Sequence, residues 1–126
     1  MSKQTLQLLK QEFTIHSLDC DDAVPQAVLD SKIFFIAKTE DELSIVCASD
    51  IAVSSLAAES HWRALEVVGP LGFSLTGIMA NISGVLAKSN VSIFTLSTYD
   101  TDYILVKESQ IQQAMQALKK DGYLLL

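Results

Sequence analysis

The chain has 126 residues, 49% hydrophobic and 19% charged, and a formal net charge of −6. That balance suits a packed core rather than disorder, and the length allows one domain or two very small ones. Only Arg63 among the nine basic residues is an arginine, and ten of the fifteen acidic residues precede it, so the basic face of a nucleic-acid binder is missing.

No apolar run approaches the roughly 18 residues that a membrane-spanning helix needs. The first residues, through Phe13, lack the apolar stretch and cleavage site of a signal peptide. Two cysteines, Cys20 and Cys47, make neither a disulfide scaffold nor a C-x-x-C metal site. A reduced, cytoplasmic setting is expected. The acidic clusters Asp19/Asp21/Asp22 and Glu40/Asp41/Glu42 read as solvated turns, because the first lacks the spaced oxygens and glycine of a calcium loop.

In chain order, residues 13–16 predict a strand. Residues 24–29 predict a short helix with Pro25 in its first turn. Residues 33–37 and 43–48 flank a polar turn and predict a hairpin. Residues 51–60 read as a truncated helix or a linker. Residues 65–68 predict a strand ended by Gly69-Pro70. Ser74 stands at an N-cap position, and Leu75, Ile78, Met79, Ile82, Val85 and Leu86 then recur at helical spacing, with Asn90 as the stop. Residues 91–98 and 103–106 predict a second hairpin. Ser109 and Gln112 form a capping box before a second helical stripe, Ile111, Ala114, Met115 and Leu118. Lys119 and Lys120 suit its last turn, Gly122 stops it, and residues 123–126 predict a final strand.

The second half therefore has the order β-α-β-β-α-β, the split βαβ or ferredoxin-like unit. The first half reads as an abbreviated copy. Laid over the second at an offset of 60, Phe34 falls on Phe94, Glu42 on Asp102, Ile45 on Leu105 and Val46 on Val106. The expected fold class is α+β: two ferredoxin-like lobes, residues 1–62 and 63–126, sharing an antiparallel sheet with helices on one face.

The catalytic inventory is thin. His16 and His61 read as structural. Gly72-Phe73-Ser74-Leu75-Thr76 resembles G-x-S-x-G but ends in threonine and has no evident base. Phosphate-loop and metal-ligand spacings are missing. An RNA module would want basic surroundings; a phosphate-cleaving relative would want an arginine after the first strand, and a copper chaperone a C-x-x-C. What survives is a small-molecule binding module or a structural, protein-interaction module.

Two features bear on that choice. The glycine-rich loop 69–74 leads into a helix N-terminus, which favours a carboxylate, and reads equally as a tight turn. Gly77 and Gly84, seven apart, predict close packing of the helix. Asp100 and Asp102 sit at the second hairpin's tip, either as turn formers or as partners for an ammonium group.

The strings His61-Trp62-Arg63-Ala64-Leu65-Glu66-Val67, Gly69-Pro70-Leu71-Gly72-Phe73-Ser74-Leu75-Thr76-Gly77-Ile78 and Ser97-Thr98-Tyr99-Asp100-Thr101-Asp102-Tyr103-Ile104-Leu105-Val106 resemble tandem ACT-domain proteins of the CASTOR type, relatives of aspartokinase regulatory domains. The resemblance is strong over about residues 61–120. It implies a non-enzymatic sensor or regulator, with an amino acid held where ACT modules meet. Carried over residue by residue, Gly72, Phe73, Ser74 and Thr76 would form one wall of the site, and Ser97, Thr98 and Asp102 the other. Asp102 would receive an amine or a cationic side chain. No cofactor, metal, nucleic acid or membrane is implied, and a homodimer or higher homo-oligomer is expected.

Overall fold

The computed structural model describes residues 4–68 and 77–126. Its elements are β1 (Thr5–Leu18), α1 (Gln26–Leu29), β2 (Phe34–Lys38), β3 (Leu43–Ala48), β4 (Ala57–Val68), α2 (Ile78–Lys88), β5 (Ile93–Ser97), β6 (Asp102–Lys107), α3 (Ile111–Lys120) and β7 (Leu124–Leu125). The chain is α+β, with its hairpins antiparallel. It divides into an N-terminal unit, residues 11–62, and a C-terminal unit, residues 1–10 with 63–126. β1 and β4 each supply residues to both.

In the C-terminal unit the strand order is β7-β1-β4-β6-β5. In a bare split βαβ the last strand lies beside the first. Here the first half of β1 takes that place, and β7 pairs with it in parallel, Thr5 opposite Leu124 and Leu6 opposite Leu125. The amide of Leu8 donates to the Leu126 carbonyl at 3.0 Å, which ties the two ends of the chain together. Arg63 makes a second tie. Its guanidinium donates to the Leu9 carbonyl at 3.0 Å and to Glu108 at 3.1 Å.

One face of these strands packs against α2 and α3. Leu65 and Val67 of β4 and Ile104 and Val106 of β6 meet Ile82 and Leu86 of α2 and Ile111, Ala114 and Leu118 of α3. The two helical stripes are those expected from the spacing, apart from Leu75, which lies outside the described residues. Both helices end alike. Asn90 (φ 60°) and Gly122 (φ 105°) are left-handed. The next amides, of Val91 and Tyr123, reach back to the carbonyls of Leu86 and Leu118 at 2.9 and 3.1 Å, the six-to-one bond of a Schellman motif.

The capping box does not form. The chain passes from β6 through a 3-10 turn at Glu108–Gln110, which puts Gln110 rather than Ser109 at the N-cap of α3, with no side-chain cap. The glutamines serve the end of α2 instead: Gln110 and Gln113 donate to the carbonyls of Asn90 (3.2 Å) and Ser89 (2.5 Å).

The two helical glycines also depart from expectation. A Cβ built at Gly77 or Gly84 meets nothing within 4 Å, so neither serves close packing. Gly84 lies inside α2, where glycine costs about 1 kcal/mol against alanine. Gly84→Ala should therefore raise the unfolding free energy by about that amount, read as a higher urea midpoint at unchanged slope; an unchanged or lower midpoint would contradict the open surface.

In the N-terminal unit β3 lies between β2 and β1. Leu18, Val28, Leu43, Ile45 and Cys47 form its apolar interior. The helix after β1 is a single turn with Pro25 at its N-cap, and residues 49–56 form no helix. They run as a strap of alternating burial, with Ile51 and Val53 packed inward on that interior.

Pairing corrects the internal overlay. Phe34 opposes Cys47 in the first hairpin, and Ile93 opposes Val106 in the second. The equivalent positions differ by 59, not 60. Because side chains alternate along a strand, one residue of slip exchanges the two faces. At 59, Ile45 and Cys47 fall on Ile104 and Val106, which occupy the same place in their own interiors.

Candidate functional site

β5 closes with Ser97 and β6 opens with Asp102, and these two oppose each other as the last pair of the hairpin. The Ser97 hydroxyl donates to Asp102 Oδ1 at 2.5 Å. Beyond them, Thr98 closes the turn. Its amide donates to the Thr101 carbonyl at 2.8 Å, and its hydroxyl oxygen accepts the Thr101 amide at 3.1 Å. Tyr99 at the tip is fully exposed.

Ile93, Ile104 and Val106 are packed toward the helices. Two-residue alternation then puts Ser97 and Asp102 on that same face. The half-buried Asp102 has one oxygen engaged by a hydroxyl that fixes the carboxylate's direction. A carboxylate so held suits an ammonium or guanidinium group, with which it makes charge-assisted hydrogen bonds.

Of the seven residues carried over from the family, Ser97, Thr98 and Asp102 come together at the hairpin end. Gly72, Phe73, Ser74 and Thr76 lie outside the described residues, as does the expected cap at Ser74. Asp100 stays exposed in the turn.

The N-terminal hairpin repeats the turn but not the acid. Thr39 accepts the amides of Asp41 (3.1 Å) and Glu42 (3.2 Å), matching the role of Thr98. At the observed register the position of Asp102 is taken by Leu43, which is buried. Glu42, expected to match Asp102, lies in the turn because the overlay was one residue out of step. Beside this hairpin end is a groove of about 560 Å³, lined by Cys20, Asp21, Lys38, Thr39 and Glu40, which no residue pattern located.

Asp19, Cys20 and Asp21 bring their ligand atoms within 4.8 Å of one another. Asp19 is engaged as a turn former, accepting the Asp21 amide at 3.0 Å, and the neighbouring Asp22 accepts the Asp19 amide at 3.1 Å. Both cysteines are free thiols.

Sequence reasoning also missed Tyr103. Its hydroxyl donates to Glu66 Oε2 at 2.8 Å across β6 and β4. Burial, the hydrogen bond to Glu66 and that carboxylate's charge push the phenol up to about 12. His61 is exposed, left-handed (φ 67°) and 3.1 Å from Glu12, whereas His16 is buried. Among the described residues no helix is long and apolar enough to cross a membrane.

The human protein named "Cytosolic arginine sensor for mTORC1 subunit 1" is 37% identical over 73 residues, 57% of this chain. The chain spans 22% of the length of that relative. A crystal structure of an Agrobacterium tumefaciens protein superposes with a TM-score of 0.91 and 28% identity, covering 100% of this chain and 94% of that one. The regulatory subunit of aspartate kinase from Thermus thermophilus gives a TM-score of 0.65 at 12% identity, over 94% of this chain and 97% of that one, a likeness of fold. A family model described as an N-terminal domain matches residues 11–55, and the model described as ACT domain matches residues 57–120. The chain belongs to the ACT-domain family.

Proposed function

We propose that this chain is a non-enzymatic, cytoplasmic sensor or regulator that binds a small amino acid where two ACT modules meet. The observation that carries the reading is the Asp102 carboxylate, held at the hairpin end by the Ser97 hydroxyl. In this reading Asp102 takes the ligand's ammonium or cationic side chain, and Thr98 borders it. Gly72, Phe73, Ser74 and Thr76 supply the opposite wall, with backbone amides for the carboxylate. A relative named as an arginine sensor and a fold neighbour named as a regulatory subunit are in keeping with that role. A homodimer or higher homo-oligomer would supply the second module, and native mass spectrometry reads that directly.

Thermal-shift screening against the standard amino acids tests the ligand. A ligand that binds only the folded chain adds about 2.7 kcal/mol of stability at 100 times its dissociation constant. At least one amino acid should raise the midpoint at millimolar concentration. No shift with any of them overturns the sensor reading and leaves a structural or protein-interaction module.

A further inference from the structure

β1 carries a buried histidine that the proposed site does not use. His16 is 7% exposed and lies on the strand face that also carries Thr14 and Leu18. Ile45 of β3 opposes it in the pairing. Over this face runs the strap 49–56. Ile51 and Val53 pack on the interior beneath it, and hydrogen bonds hold it at both ends. The Ser49 amide donates to the Glu12 carbonyl at 2.8 Å, Thr14 and Ser49 share a hydrogen bond between hydroxyls at 2.7 Å, and the Leu56 amide donates to the Ser17 carbonyl at 2.9 Å. Ser55 turns inward to meet His16 Nδ1 at 3.0 Å.

The other ring nitrogen, Nε2, is buried with no hydrogen-bond partner. A neutral ring nitrogen left unpaired there carries one desolvation cost, and a charged N–H without an acceptor carries a larger one. The ring is therefore best accommodated neutral, with Nδ1 hydrogen-bonded to the Ser55 hydroxyl. A second proton would go on Nε2 and place a cation against apolar surroundings. The titratable groups on the flanking segments offer that cation little. Cys47 of β3 is a buried thiol, itself pushed up by burial and by Asp50. Asp50 on the strap and Glu59 and His61 on β4 are exposed, and His61 is engaged by Glu12. Burial holds His16 below its ordinary value.

We propose that the strap 49–56 is a pH-released cover of the N-terminal unit's apolar interior, with His16 as its latch. Protonation of Nε2 destabilises the closed arrangement, the Ser55 contact breaks, and the strap lifts from Val28, Leu43, Ile45 and Cys47. The sign follows from linkage. The open form takes up a proton at the ordinary histidine value near 6.5, and the closed form only at lower pH. Closure is therefore most favoured above about pH 6.5. Below that, one proton per opening raises the open fraction about tenfold per pH unit, until the closed form's own value is reached.

Hydrogen exchange on the full-length chain, corrected for intrinsic rates, tests this at pH 7.5 and 5.5. The segment 49–56, and the Leu56 amide in particular, should lose protection on acidification while α2 and α3 keep theirs. His16→Gln should abolish the pH dependence. A maleimide label adds a second readout: Cys47 should become more reactive at low pH relative to Cys20 in the same chain. Equal protection of the strap at both values overturns the proposal. So does a pH dependence that survives His16→Gln, or one shared equally by α2 and α3. Should the variant not fold, the contrast between strap and helices in the unmodified chain decides alone.

Discussion

Ile104→Ala is expected to cost about 3–4 kcal/mol, within the range for removing a buried isoleucine from a packed interior. Ile104 is fully buried, on β6 between β4 and β5, where α2 and α3 converge. The loss has two parts, the transfer of the removed carbons and the cavity they leave. The strands around this position are hydrogen-bonded on both sides, so little collapse can refill the space. Against a typical total of about 5–15 kcal/mol the loss is large. It should appear as a fall in the urea midpoint of more than about 1 M at constant slope. Ile45, the equivalent position at the observed register, is equally buried but is covered by a single helical turn and a strap. Ile45→Ala should cost less, because those covering elements can shift into the gap. A loss at Ile104 below about 1 kcal/mol would contradict the packing described here, and a larger loss at Ile45 would contradict the account of its cover.

Asp102→Ala should leave the free protein's stability within about 0.5 kcal/mol, the range of surface substitutions. It should weaken amino-acid binding by about 30-fold, the equivalent of about 2 kcal/mol for a hydrogen bond to a charged group. Ser97→Ala keeps the charge and loses only its orientation, so its effect should be smaller. The order Asp102 over Ser97 is the signature of a carboxylate that contacts the ligand and a hydroxyl that positions it. Calorimetric titration with the amino acid found by thermal shift measures both. Affinity within about threefold of the unmodified chain for Asp102→Ala would remove Asp102 from the site while leaving amino-acid binding itself intact.

The helical part of the fold was legible because its signals are redundant. Ile78, Ile82 and Leu86 repeat at spacing four, and Asn90 and Gly122 mark left-handed stops that few other residues adopt cheaply. The strands were less so. β1 runs from Thr5 to Leu18, yet only its second half showed a pattern. Leu6 and Phe13 are both buried at an odd spacing of seven, so no single alternation describes a strand that serves two units. The strap hid for a related reason: its alternating burial resembles a strand, but its partners are side-chain hydroxyls and scattered carbonyls rather than a ladder.

The register slip had a simpler cause. Adjacent phenylalanines at 34 and 35 let the hairpin align on either one. The better letter match, Phe34 on Phe94, was the wrong face. The pairing of Ser97 with Asp102 was within reach, since two short polar side chains flanking a four-residue turn end up opposite each other. The buried, half-unsatisfied His16 was not, because nothing in the residues around it announces which segment will cover it.

The parallel match of the first strand with the last one sets the order of events at the ribosome. Thr5 and Leu6 wait for Leu124 and Leu125, so that edge of β1 stays open until those residues have been made. Joining segments so far apart in sequence closes a long loop, which slows folding. Any gene fragment that starts at Arg63 would encode both long helices and yet lack a strand, leaving β4 with a bare edge for another polypeptide to occupy.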